Sequence, residues 1–217
     1  MSKSHTLRIT EIFHSLQGES NTVGIPTVFV RLTGCPLRCQ YCDTAYAFEG
    51  GTLTQLDDIV AQVASFNCKY VTVTGGEPLA QPQALELLDS LCKQGYIVSI
   101  ETGGALSIAN INERVSIVMD LKTPGSLESD RNCYENIGLL KPSDQVKFVI
   151  CDRKDYEWSK GKIDQFDLCS KVDEVLFSPS HETQSPKQLA EWLLEDRLRV
   201  RLQLQMHKFL WGSDPGH

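Results

Sequence analysis

The sequence has no long apolar run and no excess of basic charge. No stretch approaches the roughly 18 consecutive apolar residues of a membrane-spanning helix, so we expect no membrane span. No apolar segment follows Met1–His5, and we therefore expect a cytoplasmic protein without a secretory signal. Only 21 lysines and arginines stand against 28 acidic residues, a net charge of −7. Nucleic-acid-binding surfaces need clustered basic residues, so we expect no nucleic acid partner.

The sequence also lacks internal repeats and low-complexity segments. Hydrophobic residues make up 41% of the chain and charged residues 23%, values typical of a globular protein. At 217 residues the length favours one domain over two, since domains average roughly 150 residues. We therefore expect a single domain over residues 1–217.

Cysteine, in contrast, is abundant. Of the eight cysteines, three fall within eight residues and five are scattered. A disulfide framework is typical of short secreted chains, whereas a tight cysteine group in a reducing compartment more often binds metal or carries out redox chemistry. We interpret the scattered cysteines as core or incidental residues; they are Cys68, Cys92, Cys133, Cys151 and Cys169.

Short β-rich runs alternate with helical patterns along the chain. Near-continuous Val, Ile and Leu runs are typical of strands that are buried on both faces of a parallel sheet. Apolar residues at helical spacing predict helices between them. The predicted strands are Thr27–Leu32, Tyr70–Thr74, Tyr96–Ile100, Ser116–Leu121, Gln145–Ile150, Glu174–Phe177 and Arg199–Leu204. The predicted helices are Leu53–Val63, Pro82–Lys93, Asp155–Phe166 and Pro186–Leu194, and Thr123–Lys141 is predicted to form a long loop with at most a short helix.

This alternation favours an α/β fold with a parallel sheet and right-handed crossovers. Six or seven strands are too few for a closed eight-stranded barrel, which typically needs about 250 residues. We therefore expect a partial (β/α) barrel of about six parallel strands. Ligands in such folds bind at the carboxyl ends of the strands, so unusual polar residues are expected directly after each strand.

The three grouped cysteines directly follow the predicted strand Thr27–Leu32. Cys35, Cys39 and Cys42 have the spacing C-x3-C-x2-C within residues 33–44, which we call the cluster loop. Three thiolates on one loop can hold three corners of a cuboidal iron–sulfur cluster and leave one iron open to a ligand. A structural zinc site usually has paired ligands, and the sequence has no second C-x2-C. Zinc and a chance grouping of buried cysteines stay open as alternatives.

This cysteine spacing resembles the signature of radical S-adenosylmethionine (SAM) enzymes. A second motif, Gly75-Gly76-Glu77-Pro78, follows the next predicted strand and is similar to the GGEP motif of the same enzymes. Two glycines let the backbone approach a ligand closely, and the amide and carbonyl groups of the turn can hold an amino group. The usual fold of radical SAM enzymes is a full or partial (β/α) barrel, which agrees with the strand count.

Six further segments narrow the resemblance; they are Ile12–Glu19, Val28–Cys35, Cys42–Thr44, Asp120–Ser126, Leu176–Pro179 and Gln203–Lys208. Together with the two motifs, these segments resemble the 7-carboxy-7-deazaguanine synthase family from about residue 7 to residue 211. The resemblance implies conversion of 6-carboxy-5,6,7,8-tetrahydropterin to 7-carboxy-7-deazaguanine with loss of ammonia, on the route to queuosine and other deazapurines. It also implies three cofactors: a [4Fe-4S] cluster, Mg²⁺, and SAM that is cleaved to a 5′-deoxyadenosyl radical and later regenerated.

The resemblance assigns cofactor and catalytic roles to individual residues. It implies that Cys35, Cys39 and Cys42 bind the cluster and act in catalysis together with Lys122, which would bind SAM or move a proton. A solvated lysine is the alternative for Lys122. The hydroxyl of Thr44 would bind Mg²⁺, a hard cation that prefers oxygen ligands. The residues implied in SAM binding are Tyr41, Cys42, Asp43, Gly75, Gly76, Glu77, Thr102 and Lys122.

Substrate binding is assigned in the same way. Arg31 lies in an otherwise apolar strand, where an unpaired charge is costly, and the resemblance assigns its guanidinium to the pterin carboxylate. An internal pair with an acidic side chain is the alternative. For residues 16–19 the alternative is a plain surface turn, and for His207 it is a structural role. The implied substrate-binding residues are Leu16, Gln17, Gly18, Glu19, Arg31, Thr74 and His207.

Other interpretations of the cysteine loop stay open. A glycyl-radical activating enzyme shares that loop, and a non-catalytic iron–sulfur electron carrier or a zinc-stabilised binding module would also use clustered cysteines. The resemblance implies a flavodoxin-like electron donor and a homodimer. It also implies that a C-terminal segment of about residues 199–217 caps the substrate, and the carboxylate of His217 is a candidate for contacting it.

Overall fold

Apolar runs form the central strands, and segments with an apolar stripe form the helices that cover them. The structure is a computed structural model and describes residues 5–212 and residue 216. Its strands are β1 (Thr6–Leu16), β2 (Pro26–Leu32), β3 (Thr52–Gln55), β4 (Tyr70–Gly75), β5 (Ile97–Thr102), β6 (Ser116–Asp120), β7 (Gln145–Ile150), β8 (Glu174–Pro179) and β9 (Arg201–Leu202). Its α-helices are α1 (Leu56–Ser65), α2 (Ala84–Lys93), α3 (Arg153–Phe166), α4 (Leu168–Lys171), α5 (Pro186–Asp196) and α6 (Met206–Trp211).

The strands described form one mixed sheet in the order β3-β1-β2-β4-β5-β6-β7-β8-β9. Neighbouring strands from β2 to β9 in this order run parallel. Strand β1 runs antiparallel to both β2 and β3. The edges β3 and β9 do not pair with each other, so the sheet is open. This architecture agrees with the expected partial (β/α) barrel.

The buried apolar side chains form one cluster between the sheet and its helices. In α2 the side chains of Leu87, Leu88 and Leu91 are fully buried, as are Val73 and Ile100 of the sheet. Replacing a buried leucine of this kind by alanine typically costs roughly 2–5 kcal/mol of stability. The core therefore gives the strand ends a rigid base.

Two N-terminal strands are absent from the sequence-based predictions. Strand β1 mixes polar and apolar residues, and most of its side chains are only partly buried, so it lacks the apolar run that predicts the central strands. The helix predicted from Leu53 begins instead at Leu56. Leu53 belongs to β3, where it pairs with Arg8 of β1. Its apolar side chain fits the helical stripe, but sheet pairing determines its conformation.

Smaller differences lie in the second half of the chain. The predicted strand Arg199–Leu204 is shorter, covering Arg201–Leu202, and is followed by the short helix α6. The long loop predicted after β6 contains three 3₁₀ helices, which are Pro124–Ser126, Ser129–Arg131 and Tyr134–Leu139. No helix in the described part of the chain is long and apolar enough to cross a membrane.

Candidate active site

A cavity opens at the carboxyl ends of the parallel strands. Thr74, Glu101 and Asp120, at the ends of β4, β5 and β6, line it together with the cluster loop and α6. Because these strand ends meet at one edge of the sheet, residues far apart in sequence come together there. All predicted site residues except Glu77 line this cavity; they are Leu16, Gln17, Gly18, Glu19, Arg31, Cys35, Cys39, Tyr41, Cys42, Asp43, Thr44, Thr74, Gly75, Gly76, Thr102, Lys122 and His207.

The cluster loop carries three thiols into the cavity. The Gly34 amide donates to the Ala47 carbonyl (2.8 Å), and the Cys42 amide donates to the Cys39 carbonyl (3.1 Å). All three thiols are free and partly buried. Burial raises the pKa of Cys35 and Cys39. Since metals bind thiolates, metal binding here would release protons.

The cluster loop suits an iron–sulfur cluster better than a single metal ion. Within residues 5–212 and Gly216, no three His, Cys, Asp or Glu side chains are grouped to hold one ion. A cuboidal cluster makes a different demand, because each thiolate binds a separate iron atom. Beside the thiols, the buried Tyr41 hydroxyl has no hydrogen-bond partner in the described part of the chain. The donor set and this buried polar group both fit a bulky inorganic ligand at the loop.

The Gly75-Gly76 turn lies against the cluster loop. A Cβ on Gly76 would overlap the Gly34 carbonyl and lie 2.8 Å from the Cβ of Cys35. Gly75 has a φ of +153°, and a Cβ there would overlap the backbone of Leu32. The Gly76 amide already donates to the Leu32 carbonyl (3.1 Å), so the carbonyl oxygens of the turn are the groups suited to a ligand's amino group. Glycine at both positions lets the turn reach the loop.

Glu77 lies behind this turn. Its carboxylate accepts hydrogen bonds from the Thr102 hydroxyl (2.9 Å to each oxygen), the Gly103 amide (2.7 Å) and the Leu79 amide (3.0 Å). The side chain is fully buried, and burial raises its pKa. These contacts join the ends of β4 and β5. The geometry therefore favours a positioning role for Glu77 over the predicted direct contact with SAM.

Arg31 pairs with an acidic residue of β1. Its Nε lies 2.7 Å from Glu11 Oε1, which also accepts a hydrogen bond from the Tyr46 hydroxyl (2.8 Å). The guanidinium lies 5.7 Å from the ring centroid of Phe13 and 5.8 Å from that of Tyr46. The internal ion pair considered as the alternative is thus present. The ion pair occupies only the Nε of the Arg31 guanidinium, which has five N–H donors in all. Binding of the pterin carboxylate by the other donors stays a prediction.

Glu101 organises the sheet side of the cavity. It accepts hydrogen bonds from the Thr74 hydroxyl (3.0 Å) and from Gln17 Nε2 (3.3 Å). Gln17 is buried and also donates to the Thr72 hydroxyl (3.2 Å). Burial raises the pKa of Glu101. Thr74 and Gln17, both predicted to bind substrate, are therefore held by the same carboxyl group.

A chain of ion pairs crosses the floor of the cavity. Lys122 Nζ lies 2.8 Å from Asp120 Oδ2, and Lys147 Nζ lies 3.4 Å from Asp120 Oδ1. Lys147 Nζ also lies 2.7 Å from Glu19 Oε2. Burial opposes the charge on these groups, but the carboxylates raise the pKa of both lysines and the lysines lower the pKa of Asp120. Both lysines and Asp120 therefore stay charged.

Sequence reasoning assigns no role to Asp120 or Lys147. The signal for Lys147 is nevertheless present, since it is a charged residue within the apolar strand Gln145–Ile150. The same anomaly draws attention to Arg31. Asp120 stands two residues before Lys122, a spacing that directs both side chains to one face of an extended segment.

The C-terminal segment lies beside the turn that follows β1. Gln205 Nε2 donates to Glu19 Oε1 (2.9 Å), and His207 lines the cavity. Burial lowers the pKa of His207. These contacts fit the predicted capping segment, which stays a prediction, and His217 lies outside the described residues.

Thr44 lies beside a carboxylate in the cavity wall. Its hydroxyl donates to Asp43 Oδ1 (2.9 Å), and Asp43 Oδ2 lies 3.9 Å from Lys208 Nζ. Hydroxyl and carboxylate oxygens suit Mg²⁺, which is often bound by one or two protein groups together with substrate oxygens and waters. Mg²⁺ binding at Thr44 stays a prediction.

Comparison with known proteins agrees with this geometry. Residues 29–162 match the Radical SAM superfamily. A 7-carboxy-7-deazaguanine synthase of Chlorobaculum tepidum is 42% identical over 217 residues, which cover 99% of this chain and 98% of that protein. The chain belongs to the 7-carboxy-7-deazaguanine synthase family. Another 7-carboxy-7-deazaguanine synthase, from Koribacter versatilis, is 45% identical over 96% of this chain and 98% of that protein.

The fold of this 7-carboxy-7-deazaguanine synthase family member also matches a solved structure. The crystal structure of QueE from Escherichia coli gives a TM-score of 0.72 at 22% identity, covering 95% of this chain and all of that one. The match confirms the predicted partial (β/α) barrel. Membership of the Radical SAM superfamily supports a [4Fe-4S] cluster and SAM as cofactors.

Proposed function

We propose that this chain converts 6-carboxy-5,6,7,8-tetrahydropterin to 7-carboxy-7-deazaguanine and ammonia. The conversion is redox-neutral, because the atoms of the pterin are all recovered in the deazapurine and ammonia. One observation carries the proposal: the three-thiol loop and charged side chains suited to a carboxylated heterocycle line the same cavity. Similarity along nearly the whole chain to proteins named 7-carboxy-7-deazaguanine synthase supports the same substrate.

The cavity has separate groups for the cofactors and for the pterin. Cys35, Cys39 and Cys42 would hold the cluster, and the carbonyl oxygens of the Gly75-Gly76 turn would hold the amino group of SAM. When bound, the reduced cluster supplies one electron to SAM, whose cleavage starts the radical chemistry. The cluster loop and the turn would hold the two cofactors side by side, since the Glu77 amide donates to the Gly34 carbonyl (2.8 Å).

The pterin would bind on the side of the cavity built by the sheet. Arg31 would bind the carboxylate, because its planar fork of donors suits two carboxylate oxygens. Glu19 and Gln17 would accept from the amino and ring N–H groups of the heterocycle. His207 would cover the opposite face. Their existing hydrogen bonds limit the reorganisation that binding requires.

Mg²⁺, the assembly and the location of the enzyme are part of the same proposal. The Thr44 hydroxyl beside Asp43 supports Mg²⁺. The exposed side chains of Phe209 and Leu210 on α6 support a homodimer, since adjacent exposed apolar groups favour association. All eight cysteines are free, which suits the reducing cytoplasm. A flavodoxin-like electron donor is proposed from the family resemblance.

One anaerobic assay tests the proposal. The protein is reconstituted with iron and sulfide and supplied with SAM, Mg²⁺, dithionite and 6-carboxytetrahydropterin. We expect 7-carboxy-7-deazaguanine by mass spectrometry, and we expect none when SAM is omitted. 5′-Deoxyadenosine without the deazapurine would reject the pterin and favour a glycyl-radical activating enzyme. Neither compound, from protein that carries its cluster, would favour the electron carrier.

A further inference from the structure

Lys147 is a largely buried lysine in the middle of an apolar strand. Its side chain is 12% exposed and lines the cavity from β7. Burying an ammonium group is costly unless it is paired, and Lys147 has two carboxylates within reach. Glu19 lies at 2.7 Å and Asp120 at 3.4 Å. The closer partner is the residue predicted to contact the heterocycle.

Glu19 is held from two directions. Lys147 contacts its Oε2 from the sheet, and Gln205 Nε2 donates to its Oε1 from the C-terminal segment. The preceding residue, Gly18, accepts a backbone hydrogen bond from Met206 (3.0 Å). A carboxylate has roughly four lone-pair sites, so Glu19 can keep both contacts and still accept hydrogen bonds from a ligand. The two contacts fix the direction in which these sites point.

We propose that Lys147 is a positioning residue of the pterin site, which holds the Glu19 carboxylate toward the amino and ring N–H donors of the heterocycle. This inference rests on the proposed function. A carboxylate can accept from two adjacent N–H donors at once, which adds geometric specificity. Lys147 thus acts on the substrate through Glu19 and not by contact with the reacting atoms.

Asp120, the second partner of Lys147, does not depend on Lys147 alone for a compensating positive charge. Asp120 already pairs with Lys122 at 2.8 Å, so it keeps a cation when Lys147 is replaced. Glu19 loses the only lysine that pairs with it in the described part of the chain. The effect of replacing Lys147 therefore falls on the pterin side of the cavity, while the side of Lys122 is largely spared.

Replacement by methionine tests this role, because methionine has similar length and no charge. We expect Lys147→Met to raise the KM for 6-carboxytetrahydropterin about 30-fold, as expected when a buried charge pair is broken, with a smaller change in kcat. The KM for SAM should stay within about threefold of the wild-type value, because Asp120 keeps its ion pair with Lys122. Lys147→Arg keeps the charge and should recover part of the pterin affinity.

Lys141→Met is the matched control. Lys141 pairs with the buried Asp144 at 2.8 Å and does not line the cavity. The substitution removes a lysine from a buried carboxylate, so it should lower stability without changing either KM. Equal effects of Lys141→Met and Lys147→Met on the pterin KM would assign Lys147 a general structural role and overturn the inference.

A double variant tests the route through Glu19. In a Glu19→Gln background the carboxylate that Lys147 orients is gone, so adding Lys147→Met should change the pterin KM little. Additive effects of the two substitutions would contradict the inference, as would a Lys147→Met variant whose change falls on kcat or on the KM for SAM. Failure of the proposed function is distinguishable, because wild-type protein would then form no deazapurine at all.

Discussion

The two walls of the cavity are built differently. The sheet wall consists of Arg31, Thr74, Glu101, Lys122 and Lys147, each of which hydrogen bonds or pairs with a protein group at 2.7–3.0 Å. The loop wall consists of the cluster loop. Its thiols form no disulfide bond, and the Cys35 thiol accepts one long hydrogen bond, from the Leu37 amide (3.4 Å). The buried Tyr41 hydroxyl has no hydrogen-bond partner within the described residues.

This difference matches the two kinds of ligand. A polar organic substrate is bound best by groups whose orientation is already fixed, because little entropy is then lost on binding. A metal cluster supplies strong bonds of its own, so its ligands need only share one loop. The sheet wall should therefore be sensitive to small changes in side-chain geometry, and the loop wall to the identity of its ligands.

Loss of a cluster ligand should have the largest effect. Cys39→Ala leaves two thiolates on the loop wall, too few for the proposed cluster. We expect loss of bound iron and sulfide after anaerobic reconstitution, and no detectable 5′-deoxyadenosine or 7-carboxy-7-deazaguanine. Iron and sulfide analysis, absorbance and mass spectrometry check this result.

Cys68→Ala is the control for this prediction. The Cys68 thiol donates to the Pro26 carbonyl (3.1 Å) and lies outside the cavity. Its replacement should leave cluster content and product formation near wild type. A full cluster and normal turnover in Cys39→Ala would show that the loop wall does not hold the cluster as proposed.

The two walls also differ in how well sequence predicts them. The cysteine spacing and the Gly75-Gly76 turn are local, so short segments suffice to recognise the loop wall. The central strands are predictable for the same reason, since each is one apolar run. The partners on the sheet wall come from distant segments, such as Glu11 for Arg31 and Glu19 for Lys147. Only the three-dimensional fold brings them together.

Two elements, β1 and α6, are missing from the sequence-based prediction for a related reason. Strand β1 has no apolar run, and its pairing with β2 and β3 depends on segments that follow it in the chain. Helix α6 has six residues and no side-chain cap hydrogen bond, so it lacks a clear start signal. Both elements contribute to the sheet wall or lie beside it. Sequence reasoning therefore gives candidate residues for the substrate site without the contacts that orient them.

Arg31→Lys should have the next largest effect and acts on the sheet wall. A lysine has one ammonium in place of a planar fork, and Glu11 would compete for it. We expect kcat/KM for the pterin to fall about 100-fold, mainly through KM. SAM cleavage measured without pterin should be unchanged.

The control for this substitution is Arg8→Lys. Arg8 donates to the carbonyls of Gly50 and Gly51 (3.2 Å each) and lies outside the cavity. The Arg8→Lys variant should have the same kcat and KM values as the wild type. If the pterin KM of Arg31→Lys is normal, Arg31 serves only as the internal partner of Glu11 and the sheet wall has another carboxylate site.

Glu77→Gln should have an intermediate effect at the junction of the two walls. Glutamine keeps one acceptor oxygen, and its NH2 group would face either the Gly103 amide or the Leu79 amide, which now donate to different oxygens of the carboxylate. We expect a loss of about 2 kcal/mol in the free energy of unfolding and an increase of about tenfold in the KM for SAM. Urea unfolding and steady-state kinetics measure both.

The control for this substitution is Glu191→Gln, which removes the same charge from an exposed glutamate outside the cavity. Glu191→Gln on α5 removes a charge that is 55% exposed and pairs with Lys187 at 3.8 Å, so stability and kinetics should barely change. A Glu77→Gln variant that loses stability but keeps its KM for SAM would limit Glu77 to the fold.

Gly18→Ala should have the smallest effect on the pterin KM, because it acts on the sheet wall only by displacing the C-terminal segment that carries His207. A Cβ on Gly18 would overlap the His207 ring and lie 3.2 Å from the His207 amide nitrogen. The ring can rotate, but the nearby backbone bond from Met206 to Gly18 restricts the shift. We expect the pterin KM to rise about fivefold at unchanged KM for SAM, a cost at the lower end of overpacking.

A second glycine provides the control. Gly138→Ala adds the same methyl group where no atom lies within 4 Å, and it should leave both KM values unchanged. Equal kinetics for Gly18→Ala and Gly138→Ala would mean that the C-terminal segment moves aside freely. The sheet wall would then bind the pterin without help from the C-terminal segment. The orientation of Glu19 would depend on Lys147 more than on Gln205.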